Sequence, residues 1–192
     1  MNYTPIIDTG HGFETAGKRS EGFYDENKNV ILRENCVNEA VGNKLSFMCW
    51  QAQCEYHFIT NEWIDVPLQE RVNRERAIAK DIKDRGLKSI FLSIHADAFH
   101  HKNKAKGGRF FYHSKSGREL AHTFTESLVI QGYGLHLREP MAANFKVIRE
   151  TSSPALLFEM GFMTTQSDLD VLVKDEFRNH TAQCLFNALN TL

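Results

Sequence analysis

Short apolar runs alternate along the chain with longer stretches in which apolar residues recur at helical spacing. Pro5–Asp8 reads as a strand ending in the turn Thr9-Gly10-His11-Gly12, and a polar, glycine-containing loop follows to about Val30. From Glu34, apolar residues at Val37, Ala40, Val41, Leu45, Met48 and Ala52 predict an amphipathic helix. Tyr56–Ile59 is short and β-prone. Asp65 is placed to cap a second helix, with Pro67 in its first turn. Leu68, Val72, Ala79 and Ile82 form its expected buried face, and Gly86 ends it. Ser89–Ile94 and Ala155–Phe158 are almost continuously apolar, as strands covered on both faces are. Gly108–Tyr112 is another strand. Leu120, Phe124 and Leu128 mark a third helix, closed by Gly132 and Gly134. From Leu169 to Leu192, residues Leu172, Val173, Phe177, Cys184, Leu185 and Leu189 keep helical spacing. Strand and helix alternate throughout. The expected fold is therefore α/β, a single domain over residues 1–192 with a mixed, mostly parallel sheet flanked by helices on both faces.

Composition narrows the function classes. The 192 residues carry a net charge of −1, so no bulk positive field is available for phosphate and nucleic acid is not an expected partner. No apolar run approaches the ~18–20 residues of a membrane span. The basic stretch Lys102–Arg109 reads as a solvated loop. Four cysteines show no C-x-x-C pair, and reduced thiols are expected, with Cys36 and Cys49 packing as small apolar core residues. The N-terminal residues lack the pattern of a secretory signal, so synthesis in the cytoplasm is the expectation.

Candidate chemistry lies at the carboxyl ends of the strands, where open α/β sheets gather their ligands. Pro5–Asp8 leads to His11, Ser89–Ile94 to His95 and Ala155–Phe158 to Glu159. Glu34 begins the helix on that same edge, where its charge complements the helix dipole. Two histidines and a carboxylate are a common ligand set for catalytic zinc, with one position left to water. Glu159 directly follows four apolar residues, so it is expected to be partly buried. Asp97 reads equally as a support for this site or as a turn residue. Other motif-like strings fail on context. Asp25-x-Asn27-x-Asn29 opens like a calcium loop, but Val30 stands where the turn glycine is needed. Gly10-x-Gly12 has Thr15 where a dinucleotide fingerprint needs a third glycine. His100-His101 falls in a polar loop, and His113, His122 and His180 read as structural or exposed.

Four segments together resemble the zinc-dependent N-acetylmuramoyl-L-alanine amidases of the amidase-3 family, cell-wall hydrolases of bacteria and their phages. They are Ile7-Asp8-Thr9-Gly10-His11-Gly12, Glu34–Val41, Ser93-Ile-His-Ala-Asp97 and Pro154–Phe162. Asp65–Leu68 with Arg71, and Val147–Thr151, also fall where the family has similar stretches. The resemblance implies His11, Glu34 and His95 as ligands of Zn2+ and Glu159 as catalytic acid/base. It implies peptidoglycan as the partner and hydrolysis of the amide between N-acetylmuramic acid and L-alanine. Arg149 is a candidate contact for the oxyanion or the anionic stem peptide, or else a surface ion pair. Asp97 is a second candidate for substrate binding. Phe13, Glu14, Thr15 and Ala16 stand where the family is richer in glycine and proline, and Asn35 replaces a common lysine. The short connection from His95 to Gly108 leaves little room for the blocking helix of regulated relatives, so a phage endolysin acting on the wall after release, as a monomer, is expected. The rival readings are another zinc peptidase cutting stem peptides and a non-catalytic wall-binding module.

Overall fold

The apolar runs become neighbouring strands of one sheet in the computed structural model, which describes residues 1–192. The strands are β1 (Thr4–Thr9), β2 (His57–Phe58), β3 (Ser89–Asp97), β4 (Arg109–Tyr112), β5 (Met141–Ala142) and β6 (Ala155–Phe162), in the order β2-β1-β3-β6-β4-β5. All neighbours pair parallel except β4, which runs antiparallel to β6. The helices are α1 (Glu34–Gln51), α2 (Leu68–Asp84), α3 (Lys115–Ile130), α4 (Lys146–Arg149), α5 (Gln166–Leu172) and α6 (Asp175–Asn190).

Alternation along each strand divides the core into two layers. On one face Ile7, Leu92, Leu156 and Phe158 pack with Val41 of α1, Phe124 of α3 and Leu185 of α6. On the other, Ile6, Phe91 and Leu157 pack with Ile82 of α2 and Val147 of α4. Both faces of β1, β3 and β6 are thus covered, which is why those strands read as continuous apolar runs.

Local chemistry departs from expectation in four places. Asp65 does not cap α2; Pro67 occupies the N-cap without a side-chain bond, and the Asp65 carboxylate accepts hydrogen bonds from Arg71 and Thr15. Leu68 is 52% exposed, because the stripe that α2 turns inward runs through Arg71, Val72, Glu75, Ala79 and Ile82. Glu75 is fully buried and receives the amides of Ser152 and Ser153 at the entry to β6. The C-terminal helical stretch is two helices, broken at Val173-Lys174, where Lys174 is extended and Arg178 Nε donates to the Leu172 carbonyl. Cys36 is exposed rather than core, since α1 buries the stripe Val37, Val41, Leu45 and Cys49. All four cysteines are free. The short β5 and α4 carry no periodicity to read.

Candidate metal centre and catalytic carboxylate

Strand register places the key side chains. In the parallel β3–β6 pair, His95 lies directly opposite Glu159, so both project from the same face at the same level. Beyond them the register slips, with Asp97 opposite Phe162, and this irregularity marks the end of regular pairing at the site. On the other side of β3, Asp8 lies opposite Ser93. The turn after β1 then brings in His11, a non-glycine residue in the left-handed region at φ 68°. Asn38 of α1 holds this turn by donating its side-chain amide to the Gly10 carbonyl at 3.0 Å. Only glycine fits at position 10, because a Cβ there would lie 2.0 Å from the His95 ring.

His11, Glu34 and His95 converge so that one ligand atom from each lies within 4.8 Å of the others. Glu34 Oε1 is 2.8 Å from His95 Nδ1 and 3.5 Å from His11 Nε2. Glu34 is 2% exposed, and its other oxygen faces Lys18 Nζ at 3.7 Å. Burial pushes the Glu34 carboxyl up, but the hydrogen bond and charge of His95, with His11 and Lys18, outweigh it and leave it below its ordinary value. His11 is pushed down to about 4 by burial, against the pull of Glu34. In His95 burial also lowers basicity, yet the bond to Glu34 prevails and raises it.

Beneath these three side chains lies a buried polar network. Arg71 donates to Asp8 Oδ1 and Asp65 Oδ1, each at 2.7 Å, and to the Val66 carbonyl at 2.8 Å. Ser93 Oγ donates to Asp8 Oδ2 at 2.5 Å, and His95 Nε2 lies 3.1 Å from the same hydroxyl. Asp65 Oδ2 is 3.9 Å from His11 Nδ1. Both histidines therefore present their outer nitrogens to carboxylates anchored by a single guanidinium, His95 through Ser93 and His11 directly.

This arrangement fits a divalent cation. Ser93 spends its proton on Asp8, so its oxygen accepts from His95 Nε2–H. His95 Nδ1 then carries a lone pair aimed at a carboxylate oxygen 2.8 Å away. Two lone pairs at that range need a proton or a metal between them. Zinc bonds of ~2.0–2.1 Å in a tetrahedron set ligand atoms roughly 3.3 Å apart, in the range of the two contacts to Glu34 Oε1.

Glu159 differs from every other buried carboxylate around it. Its Oε2 is shut off from solvent and has no hydrogen-bond partner. Burial pushes its carboxyl up to about 8, opposed by His95 and assisted by Glu34 and Asp97. Together with His11, His95 and Asp8 it lines a cleft of about 710 Å³ whose far wall is Val66, Leu68, Phe145 and Val147. Asp97 ends β3, accepts from the Ala98 amide and is pushed up by burial. Arg149 lies outside the cleft wall. Its guanidinium pairs with Glu150 at 2.6 Å and donates to Asn144, which does line the cleft. His136 is exposed. Sequence reasoning missed Lys18, Asn38 and Ser93, and gave Asp8 and Arg71 no role; the contacts that join Asp8 to Arg71 and Ser93, and Asn38 to Gly10, span 28 to 85 residues, and no local pattern signals them.

The profile of the Amidase_3 family, N-acetylmuramoyl-L-alanine amidase, matches residues 6–191. The chain is 25% identical to the uncharacterized protein YqiI of Bacillus subtilis over 192 residues, covering 98% of this chain and 84% of YqiI. It is also 25% identical to the N-acetylmuramoyl-L-alanine amidase AmiC of Neisseria meningitidis serogroup B, covering 94% of this chain but only 50% of AmiC. The catalytic domain of CwlV, the N-acetylmuramoyl-L-alanine amidase of Bacillus (Paenibacillus) polymyxa var. colistinus, superposes with a TM-score of 0.77 at 25% identity, covering 98% of this chain and 97% of that domain. Fold, strand-end chemistry and profile agree: the chain belongs to the Amidase_3 family of N-acetylmuramoyl-L-alanine amidases.

Proposed function

We propose that this chain hydrolyses the amide joining the lactyl group of N-acetylmuramic acid to the L-alanine of the stem peptide, with zinc held by His11, Glu34 and His95. The observation that carries the reading is the convergence of these three donors next to the unpartnered carboxylate of Glu159 on adjacent strand ends. When bound, zinc supplies Lewis-acid polarisation of the scissile carbonyl and acidifies water toward a pKa of ~7. Glu159 takes the proton of the attacking water on its free oxygen and delivers one to the departing alanine nitrogen. Ser93 and Asp8 hold the His95 ring in one orientation, and Asp65 faces the outer nitrogen of His11.

We further propose that the enzyme works without an activator, as phage lysins do. The β3–β4 connection contains no helix that would cover the cleft, which supports this. Digestion of purified sacculi tests the whole reading. Free muramic lactyl groups with intact stems are expected by mass spectrometry, without added protein. Cleavage within the stem instead would identify a peptidase, and no release would leave a wall-binding module. Elemental analysis should find one zinc per chain, lost in His95→Ala; tight zinc retention in that variant would refute the ligand assignment.

A further inference from the structure

A second groove has a volume of about 940 Å³. It is lined by the loop leading into α1 and the connection after β3, including Arg33, the residue before Glu34, and Ala98, three residues after His95. Arg19, Lys28, Arg33 and Lys102 line it against the single carboxylate of Glu21. In a chain of net charge −1, none of these four cations lies within ion-pair distance of a carboxylate. Arg19 Nε is buried without an acceptor. Two of the cations are held in place by other means. Lys102 leaves its basic run to donate to the Gly22 carbonyl at 2.9 Å and lies 5.3 Å above the Phe23 ring. Arg33 donates to the Phe13 carbonyl and covers the Phe13 ring at 4.4 Å. The cleft on the α2 side differs in presenting large apolar side chains, with Leu68 52% and Phe145 44% exposed in its wall.

We infer that the cationic groove is the stem-peptide subsite, taking the free carboxylates of a D-glutamyl-containing peptide, and that the glycan lies in the α2-side cleft against Leu68 and Phe145. The assignment rests on the amidase reading above and gives the substrate one direction across the site. Fixed cations with unused N–H donors are matched by carboxylates, while the apolar faces of sugar rings are matched by exposed aromatic and aliphatic side chains. A loop-borne cluster of like charge also costs stability until an anion arrives, so the charge is explained by a ligand rather than by folding.

The test is a titration of fluorescently labelled L-Ala-D-Glu-L-Lys-D-Ala-D-Ala against the wild-type protein and the double variant Arg19→Glu/Lys102→Glu, with Arg19→Gln/Lys102→Gln as a milder pair. Zinc content and melting temperature report folding. Affinity should fall tenfold or more in the first variant and severalfold in the second, and its salt dependence should flatten in both. A peptide with isoglutamine in place of D-glutamate should bind the wild type more weakly, and a chitin oligosaccharide should bind all three proteins alike. Equal peptide affinity in wild type and variants overturns the inference, as does tight binding of a polyphosphate with none of the peptide. Sacculus digestion by the wild type is scored separately. A wild type that binds peptide but releases nothing sinks the amidase reading, whereas one that digests sacculi with charge-insensitive peptide binding sinks only the groove assignment.

Discussion

Asp8 and Glu159 stand on the two strands that flank β3, face the same cleft and are both drawn from apolar surroundings. Their partners separate them. Asp8 is fully buried and satisfied, by Arg71 at 2.7 Å, by Ser93 at 2.5 Å and by Thr60 at 3.3 Å. Glu159 keeps an oxygen with no partner and is pushed up to about 8. A carboxylate whose oxygens are engaged by an arginine and two hydroxyls serves as a support. One left unpaired beside a cluster of metal-ligand type stores free energy that chemistry can use. The same residue class, two strands apart, is fully paired in one place and left with a free oxygen in the other.

The sharpest test of that contrast is Glu159→Gln. The amide keeps the shape but cannot carry the proton, so kcat should fall on the order of 10²–10⁴ while zinc content and melting temperature stay normal. Near-wild-type turnover on sacculi would move the acid/base role elsewhere. Arg71→Met should do the reverse. It leaves Asp8 buried without its counter-charge, and loss of one partner of a buried pair costs about 3–5 kcal/mol of stability. Denaturant unfolding measures it, and adding Asp8→Asn should recover part of the loss. An unchanged midpoint would show that Asp8 is held by its hydroxyl partners alone.

Ser93→Ala is the intermediate case, since it cuts His95 from Asp8 without touching a ligand. Outer partners of metal-bound histidines contribute about 10–100-fold in affinity, and chelator competition should show a loss in that range. The smallest effect is on pH-dependent stability with metal stripped. Between its ordinary 4.5 and about 8, folded Glu159 keeps a proton that the unfolded chain has released. The unfolded state then binds fewer protons, and stability falls as pH rises through that window. Glu159→Gln removes this slope. Its melting temperature should match wild type near pH 4.5 and exceed it by a few degrees at pH 8, and parallel curves would place the Glu159 carboxyl in ordinary solvent.

Much of this fold was legible because its signals are local. The continuous apolar runs of β1, β3 and β6 announce strands covered on both faces, and Glu34 precedes a clear helical stripe. From those four elements follow His11, His95, Glu34 and Glu159, since a strand end or a first helical turn fixes a position on the sheet edge. What was misread had too little sequence to carry a period, as in β5 and α4, or had a local signal overridden. Asp65 has the chemistry of a helix cap, yet Arg71 and Thr15 claim its oxygens.

The sequence by itself determined which residues reach the active edge, because alternation and helical spacing act between neighbours in the chain. The tertiary structure alone decided what each of them does there. Asp8 meets Arg71 across 63 residues and Ser93 across 85, and Glu34 meets His95 across 61. Whether a buried carboxylate becomes support, ligand or proton carrier depends on these distant partners. Hydrogen bonding and charge act over a few ångströms of space, and no spacing along the chain records which residues folding will bring within that reach.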